Sequence, residues 1–375
     1  MITQTVSRRC AVVGAGIVGA GVADALARRG WSVTVLEQEP RAAGATSGLP
    51  VALAAPQPSA DDAPRSRLVR LGLERLHQHA RRHLVEGQDW APSGVLERRP
   101  QATDRWHATG LWIRPARLAN AWLKQSGITL VARSCITELR RAGTGWDLVD
   151  TDGRTWQGYD AVVLANALGC RALLRDLSAS AQIDANWMTH IMSLQAVHGL
   201  LSHGQYPEPW PNLPSHPING KGCFFPAIPD DPAPRWALGS TFVTDALLAA
   251  DIGTQHAENL GRLRVLLPEG GDALAAMLDR GKTEVWSGTR CTTRDRLPLV
   301  GQVPGAHTRG LWLCTGMGSR GMSLVCLCAQ WLAACMQGDD PAAVLDPSLS
   351  RYIDTQRWRD KPATPSVADS RPGAG

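Results

Sequence analysis

Two groups of residues in this chain have types and spacings suited to chemistry. The first is CAVVGAGIVGAG, residues 10–21, where Gly14, Gly16 and Gly19 follow a short apolar run and open a helix-like stretch. Gly14 permits a tight turn, Gly16 lets backbone approach a pyrophosphate, and Gly19 lets the helix pack on the strand. The helix N-terminus favours phosphate charge, and Glu37, closing the second strand WSVTVLEQ, can accept from a ribose hydroxyl. The second group is WSGTRCTTRDRLPLVG, residues 286–301, where Arg290, Arg294, Asp295 and Arg296 run into an apolar strand start. A guanidinium stays charged and binds a carboxylate through two parallel hydrogen bonds, so one of these arginines can face an acidic substrate. A charged surface turn fits the same residues.

A third stretch, GLWLCTGMGSRGMSLVCLCAQWLAACMQGDD (310–340), reads as a strand, a glycine loop and a wholly apolar helix ending near Gly338. Gly316, Gly318, Ser319, Arg320 and Gly321 put backbone donors at that helix N-terminus, which suits a group that becomes negative.

These sites need elements to hold them. Residues 10–36 predict strand, turn, helix, strand, and GATSGLP (44–50) is a loop of small residues able to lie against a cofactor. A helix follows, with Asp62 as its expected N-cap, Pro64 in its first turn, and Val69, Leu73, Leu76, Ala80 and Leu84 as one apolar stripe. Its opposite face carries Arg67, Arg70, Arg75, Arg81 and Arg82. His77 and His79 lie roughly 160° apart around that helix, so one ion cannot collect His77, His79 and His83 together, and no metal site is expected. Residues 128–165 hold two strand signals around a hairpin-like GTGWDLVDTDGRTW. Residues 181–285 are rich in proline and tryptophan and include the helix-like HAENLGRLRVLLP.

Bulk properties set the frame. A chain of 375 residues, 44% hydrophobic and 19% charged, is long enough for two domains around a sizeable core. Its net charge of +5 is mild, and only four of its 39 basic residues are lysines, a bias that by itself does not argue for phosphate recognition. Nine cysteines without a CxxC pair point to buried thiols in a reducing compartment. Arg8 and Arg9 ahead of an apolar run resemble a twin-arginine export signal. Asp24 and a complete glycine fingerprint inside that run argue instead for a cytoplasmic protein. The longest apolar stretch, about Met322 to Met336, is too short to span a bilayer.

With these residues in view, the sequence resembles the flavoprotein amine oxidases of the D-amino acid oxidase, glycine oxidase and sarcosine oxidase group. Within that group it is most similar to the FAD-dependent oxidoreductase half of bifunctional enzymes that build 5-methylaminomethyl-2-thiouridine in tRNA. The resemblance runs nearly end to end and rests on SADDAPRSRLVRLGLER, TGLWIRPARLANAWL, GSTFV, HAENLGRLRVLLP, WSGTRCTTRDRLPLVGQVP and TGMGSRGM. It implies an α/β fold. A Rossmann-like FAD-binding domain of D-amino acid oxidase type takes residues 1–62, 108–180 and 285–359. An inserted α+β substrate domain on a mixed, largely antiparallel sheet takes 63–107 and 181–284, and 360–375 form an unstructured tail.

The resemblance further implies FAD held by Gly14, Gly16, Ile17, Gly19, Glu37, Thr46, Ser47, Ile136, Ala165, Gly316, Gly318, Ser319, Arg320, Gly321 and Met322. Arg290 takes the place of the family's carboxylate clamp, and Arg294, Asp295 and Arg296 become turn structure. The implied substrate is 5-carboxymethylaminomethyluridine at the tRNA wobble position, with a separate methyltransferase acting on the product. A small-amine oxidase of glycine or sarcosine type is the alternative. The chain departs from the family pattern at Leu49, at Ala167, and at His198 and Leu200 around Gly199. Residues 63–105 carry nine basic groups against five acidic ones, a strip able to track phosphates.

Overall fold

Uninterrupted apolar runs form the central sheet of a computed structural model that describes residues 7–206, 213–231, 233–244 and 251–359. The central strands are β1 (Arg9–Val13), β2 (Ser32–Leu36), β8 (Ile128–Val131), β12 (Ala161–Leu164), β18 (Leu299–Gln302) and β19 (Leu311–Thr315). Their order is β18-β19-β12-β1-β2-β8, parallel throughout except for β18. Strands buried on both faces need no polar alternation, which is why RCAVV and AVVL read as plain apolar runs. Arg9 therefore begins a core strand, its guanidinium 4.8 Å over the Tyr159 ring.

One face of this sheet packs on helices α1 (Ile17–Ala27), α2 (Pro64–His83), α3 (Pro115–Leu123) and α8 (Gly321–Gln337). The other carries α4 (Cys170–Leu177), α5 (Ala185–Met192) and a small antiparallel sheet of β9 (Ile136–Ala142), β10 (Gly145–Asp150) and β11 (Thr155–Tyr159). Val69, Leu73, Leu76 and Ala80 of α2 are buried, as their stripe predicts. Gly72 lets α2 touch α8: a Cβ there would sit 1.9 Å from the Ser323 carbonyl oxygen. Asp62 is not the cap of α2. Ala63 takes that position, and Asp62, at φ +46°, instead pairs with Arg70 at 3.0 Å.

The second large sheet runs β17-β13-β16-β15-β14-β5-β6, antiparallel except between β14 and β5. Its strands are β5 (Val95–Glu97), β6 (Arg105–His107), β13 (Gln195–Gln205), β14 (Ile218–Gly220), β15 (Gly222–Ile228), β16 (Arg235–Gly239) and β17 (Thr283–Thr292). Helices α6 (Ile252–Leu266) and α7 (Gly271–Arg280) cover it. A further three-stranded sheet has the order β3 (Ala52–Ala54), β7 (Leu111–Ile113), β4 (Trp90–Ala91). β17 straddles the boundary expected at residue 285, because its ladder is with β13. The tail expected at 360–375 lies outside the described residues. Among the described residues no helix is long and apolar enough to cross a membrane.

Candidate active site

Strand order decides what meets what. The carboxyl ends of β19, β12, β1 and β2 are neighbours in that order, so Gly316, Ala165, Gly14 and Glu37 line one edge of the sheet, where doubly wound folds bind ligands. Gly14 has φ +100°, and a Cβ on it would meet Ala165 O and the Asn166 Cα at 3.0 Å each. A Cβ on Gly19 would lie 1.8 Å from Gly14 O, so helix and turn touch as the fingerprint requires. Gly16 is the N-cap of α1, with Ile17 beginning the helix and its N–H donating to Ser47 Oγ at 2.8 Å. Thr46 Oγ1 donates to Thr289 O at 2.6 Å, which ties this loop to β17.

Glu37 is buried and accepts from Ala15 N at 2.6 Å and from Glu39 N at 2.9 Å. A carboxylate has further lone pairs, so ribose hydroxyls can still be received. Ser134 N donates to Glu37 O at 2.8 Å, which brings the start of β9, and Ile136 with it, to the same edge. Asn166 Oδ1, beside Gly14, is buried without a hydrogen-bond partner.

The loop after β19 holds Gly316 at φ +71° and Gly318 at φ +54°. Gly318 to Arg320 form one 3-10 turn leading directly into α8, with Ser319 exposed, Gly321 its first residue and Met322 buried. Arg320 is partly buried, and its guanidinium makes no hydrogen bond or ion pair to a described residue. Burial pushes its pKa down, Arg65 adds to this, and Glu97 opposes it.

Arg290 sits on β17, directly opposite Val197 of β13. Its NH2 donates to Ser240 Oγ, while its NH1 is buried without a partner among the described residues. Its Cζ lies 4.7 Å over the ring of Phe242, which is 61% exposed. Burial pushes the Arg290 pKa down to about 10, so it stays charged at neutral pH. Room for the guanidinium comes from Gly199: a Cβ there would be 2.6 Å from NH2 and 2.9 Å from NH1. Gly199, Ser240 and Phe242 are thus site residues that sequence reasoning did not assign. Gly199 lay inside the triplet noted as a departure, but its pairing across the sheet was not visible. His198 Nδ1 lies 2.8 Å from Thr289 Oγ1, and Leu200 is buried.

Thr292 bridges Met317, so the strand bearing Arg290 also rests on the glycine loop. The remaining charges of the stretch do turn structure. Asp295 Oδ1 accepts from Leu297 N at 3.1 Å, Asp295 pairs with Arg357 at 3.2 Å, and Arg296 has φ +59°.

The histidines of α2 divide. His77 Nε2 lies 2.9 Å from Thr109 O. His79 and His83, one helical turn apart, meet Asp24 of α1, and a ligand atom of each lies within 4.8 Å of the others. The guanidinium of Arg28 already occupies the space between them, 2.8 Å from Asp24 and 3.0 Å from His83, and His79 Nδ1 accepts from Trp122 Nε1 at 3.0 Å. The expected basic strip is thinner than its sequence. Arg70 pairs with Asp62, Arg98 with Asp104, and Arg75 turns onto Gln330, which leaves Arg67, Arg81 and Arg82 exposed on α2.

The edge described above fits an FAD. Backbone donors at the Gly14–Gly19 turn suit the pyrophosphate, the orphaned Asn166 oxygen lies beside them, and the unpaired Arg320 stands at the second glycine loop. Comparison with known proteins agrees. The model of the FAD dependent oxidoreductase family matches residues 9–106 and 72–335. The tRNA 5-methylaminomethyl-2-thiouridine biosynthesis bifunctional protein MnmC of Albidiferax ferrireducens is 42% identical over 94% of this chain, and its counterpart in Polaromonas naphthalenivorans is 34% identical over 88%. The matches span 59% and 57% of those relatives' lengths. Among solved structures, glycine oxidase from Bacillus cereus superposes with TM-score 0.69 at 16% identity over 90% of this chain and 97% of its own. Iminodiacetate oxidase from Chelativorans sp. BNC1 superposes with TM-score 0.66 at 18% identity over 88% and 96%. The chain belongs to the FAD dependent oxidoreductase family, and FAD is its cofactor.

Proposed function

We propose that the protein oxidises the glycine-like C–N bond of 5-carboxymethylaminomethyl-(2-thio)uridine at the tRNA wobble position to an imine, which water then hydrolyses to the 5-aminomethyl nucleoside and glyoxylate. The observation that carries this reading is the Arg290 fork, a buried guanidinium whose NH1 has no partner, on a strand tied to both cofactor loops through Thr46 and Met317. A buried unpaired donor costs about 1–3 kcal/mol, more when charged, and an incoming carboxylate relieves that cost. The names of the relatives supply the tRNA.

When bound, FAD supplies the two-electron acceptor. The chain does the rest by placement. Arg290 fixes the carboxylate, which orients the α C–H, and Gly199 keeps the opposite strand clear of the fork. The reaction needs the amine neutral and asks for no strong acid or base, which fits walls formed by Thr289, His198 and Phe242. The exposed ring of Phe242 suits stacking of a pyrimidine, and Arg67, Arg81 and Arg82 suit phosphates. The cofactor residues are Gly14, Gly16, Ile17, Gly19, Glu37, Thr46, Ser47, Ile136, Ala165 and the loop 316–322. The proposed division keeps 1–62, 108–180 and 285–359 as the FAD-binding part but moves α2 into it, since α2 packs on the central sheet with α1 and α8, and β17 is shared with the substrate part. The aminomethyl product is consumed by a methyltransferase acting on that nitrogen.

Mass spectrometry of tRNA nucleosides from a strain lacking the protein tests the proposal. Carboxymethylaminomethyl uridine should accumulate. Unchanged nucleosides, together with peroxide release from free glycine or sarcosine by the purified protein, would overturn it in favour of a small-amine oxidase.

A further inference from the structure

Helix α6 turns polar side chains toward the seven-stranded sheet. Gln255, Asn259 and Arg262 are all buried on the face where a covering helix ordinarily places apolar residues. Asn259 and Arg262 belong to HAENLGRL, a signature to which the proposed reaction gives no part.

Arg262 and Gln255 bond one short segment, Ser240–Thr241, just after β16, and Asn259 links Arg262 to β13. Arg262 NH1 donates to Ser240 O at 2.7 Å and to Asn259 Oδ1 at 3.2 Å, and Arg262 NH2 donates to Glu258 at 2.5 Å. Asn259 Nδ2 donates to Leu200 O at 3.1 Å and Ser202 Oγ at 3.2 Å, fixing the helix to β13. Thr241 Oγ1 donates to Gln255 Oε1 at 2.5 Å and accepts from Leu200 N at 2.9 Å. On its other side the same segment meets the clamp, since Ser240 Oγ accepts from Arg290 NH2.

We propose that Ser240, held from behind by Arg262, which Asn259 in turn braces against β13, is the positioning group that orients the Arg290 fork. One amino group of Arg290 is occupied by the Ser240 hydroxyl, which leaves NH1 as the edge presented to a carboxylate. A guanidinium on a flexible stem loses rotamer freedom when it binds, and a fixed hydroxyl settles that orientation in advance. Buried polar groups linked in this way are sensitive to the loss of any member, because each leaves the next unpaired. The inference rests on Arg290 being the carboxylate clamp.

The test uses the purified flavoprotein and glycolate, an unreactive small carboxylate, titrated by the change in flavin absorbance. Ser240→Ala should weaken glycolate binding roughly tenfold and raise KM with kcat little changed, while flavin content holds and the melting temperature falls by only a few degrees. Ser240→Thr, which keeps the hydroxyl, should restore binding. Arg262→Lys should weaken glycolate by a similar factor, and the double variant should be no worse than the poorer single one, since both act through one contact. Glycolate affinity unchanged in Ser240→Ala, or additive losses in the double variant, would overturn the inference. Arg290→Lys separates it from the underlying reading. If that variant binds glycolate normally, the clamp itself is wrong; if it loses binding while Ser240→Ala does not, only the positioning role fails. Should Arg262→Lys not fold, the Ala and Thr variants at Ser240 decide alone.

Discussion

Helices α8 and α6 both bury leucines, but α6 adds a buried amide and guanidinium set that α8 lacks. α8 buries Leu324, Val325, Leu327, Cys328 and Leu332 against α1 and α2, and its N-terminus delivers the second glycine loop. α6 buries Gln255, Asn259 and Arg262 against β13 and β16 and delivers Ser240 to Arg290. The cofactor half is held by close packing and backbone geometry, and the substrate half adds to its own apolar core a chain of specific hydrogen bonds behind the clamp. Packing tolerates sliding poorly but many side-chain identities well. A hydrogen-bond chain depends on each member.

The largest effect expected from breaking the first half is at Gly19. Gly19→Ala places a Cβ 1.8 Å from Gly14 O, backbone that cannot yield without opening the turn. Purified Gly19→Ala should retain no flavin, read from its absorbance per mole of protein, or should fail to accumulate as folded protein. Normal flavin content would mean that the fingerprint is not what holds the cofactor.

The matching break in the second half should spare the flavin. Gly199→Ala sets a Cβ 2.6 Å from Arg290 NH2, so the fork must turn away from its substrate edge. Losing a charge-assisted pair of this kind costs about 3–4 kcal/mol, hence a rise in KM of roughly 10²–10³-fold with flavin retained. Loss of flavin in Gly199→Ala, or an unchanged KM, would erase the distinction between the halves.

These two glycines also mark how much was legible in the sequence. Gly14, Gly16 and Gly19 act within six residues and are required by one turn, so their spacing alone announces it. The apolar runs of β1 and β12 and the stripe of α2 are equally local. Arg290 was legible through resemblance, but its environment was not. Gly199, Ser240 and Arg262 lie 91, 50 and 28 residues from it, and only the pairing of β13 with β17 and β16 makes them neighbours. Helical spacing correctly separated His77 from His79. It gave no warning that Asp24 and Arg28 of α1 would join His79 and His83.

His79 gives the packed half a pH dependence of its own. Burial lowers its pKa from 6.5 to about 4, Asp24 opposing and His83, Arg28 and Arg82 adding to the depression. The unfolded chain therefore binds a proton that the folded one refuses between pH 6.5 and 4, and stability falls as pH drops through that window. The loss approaches about 2–3 kcal/mol at its acid end. Urea titrations at pH 4.5 and 7 should show it, and His79→Gln, retaining hydrogen bonds without titrating, should flatten this part of the slope. An unaltered slope would assign the acid sensitivity elsewhere.

The smallest effect concerns Ala167, where the cofactor half departs from its family pattern. Ala167 follows Asn166 at the edge of the sheet and has φ +51°, in the left-handed region that an L side chain enters at a cost of about 1–2 kcal/mol. Glycine removes that strain but adds freedom to the unfolded chain, which offsets about 0.4–1 kcal/mol of the gain. Ala167→Gly should then stabilise the protein by roughly 0.5–1 kcal/mol, a rise in melting temperature of roughly 1–3 °C for a chain of this length. Flavin content should be unchanged, because Thr315 Oγ1 bonds the Ala167 carbonyl, at 3.4 Å, and not its side chain. A lower melting temperature would mean that the alanine methyl packs favourably enough to outweigh its backbone. In that case the cofactor half too would depend on a particular side chain, and the contrast between packed and hydrogen-bonded halves would narrow at this position.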